Sequence, residues 1–267
     1  MRLAGWSRAA RLVGVQLKAS SLTLLQYRFD FFAEGFLEVL WAATSLVPLL
    51  VVFHDRAQVA GWTFAEALLV VGWFTLLQAI LEGAIQPSLS SVVEHIRRGT
   101  LDFVLLKPAD AQLLVSTASF APWRATNVVT AGVIFGWAFH LLGRAPSLAG
   151  IGAAALLFVG STVFLYSLWI LTVSAAFYVV RVDNLTFLFS SIFDAARWPS
   201  SIFRGILALV FTFVLPLAVM TTYPALALLG RLSWPAVAAS LCGAAAFAAL
   251  SRRVWLRSIS RYTSASS

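Results

Sequence analysis

The chain has 267 residues, 60% of them hydrophobic and 11% charged, with a formal net charge of +8 and a mean hydropathy of +0.88. Soluble domains carry about 25% charged residues, so this composition excludes a water-soluble fold of such length. It also excludes a nucleic-acid patch, because the basic residues stand in short clusters between long apolar runs, the pattern that writes membrane topology.

In chain order, residues 1–30 form an arm. Trp6, Ala10, Val13 and Leu17 recur at helical spacing while Arg8, Arg11 and Lys18 occupy other faces, which predicts a basic interfacial helix over 5–28. The same charges interrupt any cleavable signal peptide. A first span is expected over 31–53, with Glu34 and Glu38 one turn apart near its inner end, followed by a short outer loop over 54–61. The second span covers 62–85, with Glu66 at its outer end and Glu82 at its inner end.

Pro87 and a serine-rich turn then lead into a charged island, Glu94–Pro108, with the sequence EHIRRGTLDFVLLKP. Gly99 and Pro108 punctuate it, which predicts a short amphipathic helix, a break, and a second short helix or turn. It offers apolar Ile96, Leu101, Phe103, Leu105 and Leu106 for docking, and Glu94, Arg97, Arg98, Asp102 and Lys107 to set orientation. Residues 110–124 are apolar but interrupted, and read as a helix along the membrane surface.

The third span is expected over 125–142, where Gly132 and Gly136 form a GxxxG pair that permits close helix approach in lipid. The fourth covers 148–180 and is long enough to tilt. Residues 181–204 hold Asp183, Asn184, Asp194, Arg197 and Pro199 and read as a second inner-side segment. The fifth span covers 201–221 and contains Pro216. After it, Pro224 and Gly230 bound an apolar patch over 221–230 that is too short to cross, and it reads as a re-entrant or outer-surface turn. The sixth span, 234–250, is dense in Ala and Gly. Arg252, Arg253, Arg257 and Arg261 follow it, and the tail is expected to be disordered.

Sixteen of the 19 Lys and Arg residues fall on one side in this reading, and Arg56, Arg144 and Arg231 on the other. That asymmetry places both termini and the charged island in the cytoplasm. The expected fold is therefore all-α and integral to the membrane: a single transmembrane domain over 31–256 with six spans, and a cytoplasmic tail over 257–267.

The chemistry that is missing narrows the function. No G-x-x-x-x-G-K-[ST] or G-x-S-x-G motif occurs, and the three histidines, His54, His95 and His140, lie in separate segments. The single Cys242 allows neither an internal disulfide nor a Cys-based metal framework. The only lysines, Lys18 and Lys107, are in cytoplasmic segments, which argues against a Ser-Lys hydrolase in the membrane. Carboxylates cluster at span ends and the halves show no self-similarity, which argues against a proton-driven carrier. A non-catalytic protein remains, one that moves something apolar or scaffolds others on energy supplied elsewhere.

The residues Ile96-Arg97-Arg98-Gly99-Thr100-Leu101-Asp102, with Leu105-Leu106-Lys107-Pro108 behind them, resemble the permease subunits of ABC-2-type transporters, in the compact six-span bacterial branch. A second match runs from Leu215-Pro216-Leu217-Ala218 into Tyr223-Pro224-Ala225 and Leu228-Leu229-Gly230. The resemblance implies an N-terminal elbow helix, a cytoplasmic coupling helix over about 91–108 seated in a separate ATPase subunit, and a short exoplasmic re-entrant region around 221–231. It implies two ATPase copies, which hold the ATP and magnesium, beneath a pair of permeases, identical or paralogous, in a bacterial inner membrane. Neither a cofactor in this chain nor a nucleic-acid partner is implied. Export of an amphiphilic, lipid-like or drug-like compound is the expected task. A membrane scaffold or envelope-lipid assembly factor is the alternative, and a secondary carrier the third reading.

Overall fold

The computed structural model describes residues 14–16, 18, 28–178 and 183–262, and every regular element among them is helical. The predicted interfacial helix falls mostly outside these residues, as does the end of the tail. Five helices among them are long and apolar enough to cross a membrane: Gly35–Phe53, Phe64–Arg97, Pro122–Leu142, Leu148–Phe177 and Trp234–Ile259.

Helix α1, Arg28–Phe53, runs along the outside of the bundle, leaving Phe36, Leu40 and Trp41 exposed. The central element is α2, Phe64–Ile80. A capping box starts it: Thr63 Oγ1 accepts the Glu66 N–H while Glu66 Oε2 accepts the Thr63 N–H. Its Ala67–Val71 stretch is fully enclosed. Water exclusion adds little between helices already in lipid, so close packing must hold them. The rings of Trp73, Phe135 and Phe158 supply part of it, with centroids 5.3 and 5.7 Å apart.

Helix α2 continues through a π-turn, Leu81–Ile85, into α3, Gln86–Arg97. Pro87 explains the bulge. It has no N–H for the carbonyl four residues back, so the helix widens there and Gly83 O is freed. The Ala121 N–H takes that carbonyl at 2.8 Å. Two short helices follow, α4 Asp102–Leu105 and α5 Ala111–Ser116, and a 3₁₀ turn, Pro122–Ala125, leads into α6, Thr126–Leu142.

Gly132 and Gly136 face outward on α6 and meet nothing in this chain within 4 Å of a Cβ position. The α2–α6 contact closes instead at Gly72, where a Cβ would lie 2.7 Å from the Phe135 ring. Helix α7, Leu148–Ser174, packs on the last helix, α11 (Trp234–Ile259), through Gly160, Gly243 and Ala244.

The stretch between α7 and α11 departs from the sequence reading. Helix α8, Asp183–Phe193, and two 3₁₀ turns, Asp194–Arg197 and Ser200–Ile202, run the length of the bundle. Phe189 stacks edge-on to Trp169 in the last third of α7, and Phe193 lies 5.2 Å from Phe74 at mid-bundle. Ser201 then accepts from Trp62 Nε1 at 3.0 Å and donates to Ala60 O, at the start of α2. We call that end, with the loops at Ala60, Gly143 and Gly230, the far end, and the end carrying Gly99 the near end. Residues 183–202 are partly helical, as expected of the inner-side segment, but they do not stay at the near end.

Residues 201–221, expected as one span, are not one helix. Helix α9, Ile206–Leu209, and its π extension, Val210–Val214, stop at Leu215, whose φ −121° and ψ 89° lie outside the helical region that a following proline disfavours. A second π-turn, Ala218–Thr222, and α10, Tyr223–Leu228, then turn back. Ser161, halfway along α7, donates to Val219 O at 3.3 Å, whereas Ala227 O touches Gly150 at the start of α7. The chain therefore dips from the far end to mid-bundle at Pro216 and returns. Apolarity alone reads this segment as a span; the missing proline N–H divides it. Pro216, Pro224, Tyr223 and Gly230 all belong to this hairpin.

Candidate functional site

The near end is built around Gly99. Helix α3 ends in a Schellman turn: the Thr100 N–H reaches His95 O at 2.9 Å and the Gly99 N–H reaches Ile96 O at 3.2 Å. Gly99 sits at φ +66°, the left-handed region that costs glycine least. The side chains of His95 and Thr100 add a 2.8 Å hydrogen bond across the same turn, and Arg98 pairs with Glu94 at 2.5 Å. The break expected at Gly99 and the short helix after it are both present.

Packing divides the expected docking residues into two sets. Leu101 is only 1% exposed, and Ile96, Val104 and Leu105 pack against the core beneath it. Phe103 and Leu106 point outward at 70% and 80% exposure. Arg97, Arg98, Lys107 and Pro108 are also exposed around them. An apolar pair held up by a packed underside and rimmed by cations is a surface fit for a protein partner.

The segment that follows the turn, α5 with its N-cap Asp110, is wired to helices α7 and α11. Arg252 of α11 donates from Nη1 to Asp110 Oδ1 at 3.1 Å and to Gln112 Oε1 at 2.7 Å, and its Nη2 pairs with Asp110 Oδ2. Gln112 Nε2 donates to the Tyr166 hydroxyl of α7 at 2.9 Å, and Ser116 meets that hydroxyl at 2.7 Å. Partial burial would raise the Asp110 carboxyl pKa, but the bonds from Arg252 and from the Leu113 N–H outweigh it and hold it below its ordinary range. The latch is therefore ionised at neutral pH. The partners come from three segments far apart in sequence, 110–116, Tyr166 and Arg252, so only the fold reveals the latch.

A second polar knot lies where α1, the π-turn and the 3₁₀ turn meet. Arg124 pairs with Glu38 and, at 2.8 Å, with Glu82, and Gln78 donates to Glu82 at 2.9 Å. Glu38 and Glu82 thus share one guanidinium from a third element. At the far end, Glu66, 4% exposed, pairs with Arg231 at 2.5 Å and ties α2 to the end of the hairpin. No group of three or more His, Cys, Asp or Glu side chains arranged to hold a metal occurs among the described residues.

The family model described as ABC-2 family transporter protein matches residues 39–266. No curated protein and no solved structure matches the chain. The chain belongs to the ABC-2 transporter family: it is a multi-pass membrane permease of an ABC transporter.

Proposed function

We propose that this ABC-2 permease carries an amphiphilic compound outward, driven by a separate ATPase that docks on the Gly99 turn. The near end is cytoplasmic in this reading, since Arg97, Arg98, Lys107, Arg252, Arg253, Arg257 and Arg261 gather there. The spans sit in a bacterial inner membrane, and two permeases, identical or paralogous, stand over two ATPase copies that hold the ATP and magnesium. The observation that carries the reading is the exposed pair Phe103 and Leu106 on a rigid, packed base. A solvated loop kept only as a topology signal has no need of two outward apolar side chains over a closed Schellman turn.

Mechanistically, α3 is continuous with α2 through the π-turn, so a push on the Gly99 turn acts on the central helix. The Arg252–Asp110–Gln112–Tyr166 latch carries the same displacement to α11 and α7. The hairpin enters from the exoplasmic end in this reading, with Pro216 at its mid-bundle tip.

The direct test is co-purification with the ABC ATPase subunit that partners this permease. Phe103→Asp with Leu106→Asp should insert normally and weaken ATPase association by about a hundredfold, the loss of two interface anchors. Wild-type ATPase association by that inserted variant would remove the Gly99 turn as the docking site.

A further inference from the structure

A polar cleft lies inside the transmembrane region, away from the docking turn. Its volume is about 510 Å³, and it opens between α1, α2, the start of α6 and the 194–197 turn. That volume suits a small-molecule head group. Polar side chains on membrane-spanning helices are costly and mark substrate paths by default. Here Glu38, Thr75, Gln78 and Asn127, from three separate helices, meet at one cavity with Asp194 and Arg197.

The lining specifies a ligand chemistry. Asn127 is 3% exposed, and its amide nitrogen has no hydrogen-bond partner; the buried Nε of Arg197 has none either. Both residues line the cleft, and donors left unmade beside it call for acceptor oxygens. The hydroxyls of Thr44, Ser45 and Thr75 spend their protons on helix carbonyls of Trp41, Ala42 and Val71, leaving their oxygens as acceptors. Every charge on the wall is already paired, Arg197 with Asp194 and Glu38 with Arg124. A charged head group would find no free counter-ion, whereas a hydroxyl both donates and accepts. Trp41, 69% exposed at the rim, supplies an apolar wall beside the polar one.

We infer that this cleft is the head-group subsite of the carried amphiphile, and that it takes an uncharged, hydroxyl-rich head such as a sugar. The inference rests on the transport reading for its purpose, but binding here needs no ATPase. The permease alone, in lipid nanodiscs, is photolysed with a dodecyl glucoside bearing a diazirine on the sugar, and adducts are mapped by mass spectrometry. Adducts should concentrate on residues 41–48 and around Asn127. They should fall about tenfold in Asn127→Leu with Thr75→Val, the effect of one or two lost hydrogen bonds. Dodecyl maltoside should compete; dodecyl sulfate and dodecyltrimethylammonium at equal mole fraction should not. Should the buried double variant fail to insert, Thr44→Val on the exposed helix must still lower labelling. Adducts spread evenly over lipid-facing helices, or equal competition by the charged probes, would overturn the assignment. A chain that labels as expected yet moves no amphiphile with ATP would refute the transport reading and leave the subsite standing.

Discussion

The Gly99 turn and the Pro216 hairpin are both helix–break–helix segments, and both close on a Schellman turn with a left-handed glycine. At the far end the Arg231 N–H reaches Leu226 O at 2.9 Å and Gly230 sits at φ +72°, matching Gly99 in kind. Their surroundings differ. The returning arm of the hairpin is satisfied within the chain: Met220, Thr221 and Ala225 are fully buried, and Thr221 and Thr222 bond to Ala196 O and the Ser200 N–H. The Gly99 turn buries only its underside and leaves Phe103 and Leu106 outside. Like local structures thus stand at opposite ends, one completing the bundle and one, in the proposed reading, offering a surface to another protein. The same inventory of turn, glycine and apolar residues does not by itself tell the two apart; exposure does.

Substitutions can separate the two roles. The largest structural effect should come from Gly150→Val at the far end, where an added Cβ would lie 2.7 Å from the Ala227 carbonyl oxygen. Backbone cannot yield as a flexible side chain does, so the cost is about 1–3 kcal/mol and the melting temperature drops by about 5 °C. ATPase association per folded molecule should be unchanged. Next come Gly99→Ala and Gly230→Ala, each forcing alanine into the left-handed region at about 1 kcal/mol. Equal losses of thermal stability are expected, with lower ATPase affinity from Gly99→Ala alone; matched ATPase effects would erase the distinction between the two turns. Arg252→Gln removes a half-exposed ion pair and should cost less than about 1 kcal/mol of stability. It should nevertheless lower ATP-driven turnover about tenfold at unchanged ATPase affinity, since it cuts the latch to α11 and α7. Normal turnover would show that α3 alone carries the displacement.

Much of the near end was legible in the sequence because its signals are local. Arg97-Arg98-Gly99 is a helix stop within a few residues, and no long-range partner is needed to see it. The segment after α7 was not legible. Asp194 and Arg197 make it look like a loop, and only the folded chain pairs them at 3.3 Å and sets the guanidinium 5.0 Å over the Phe74 ring. Conversely, residues 201–221 are apolar enough to suggest a span, while one missing N–H at Pro216 turns the chain back. The cleft was hidden for a related reason. Glu38 could be read as an inner-end carboxylate, but Gln78 and Asn127 carry no sequence mark, and their meeting place depends on how α6 enters the bundle.

The docking claim requires that Leu106 face the cytoplasm and be covered by the ATPase. Leu106→Cys in a Cys242→Ser background can be challenged with a membrane-impermeant maleimide in right-side-out and inside-out vesicles, with and without the ATPase subunit. Labelling should occur only in inside-out vesicles and should be blocked when the ATPase is bound. Labelling from the outer face, or labelling that the bound ATPase leaves untouched, would contradict the account.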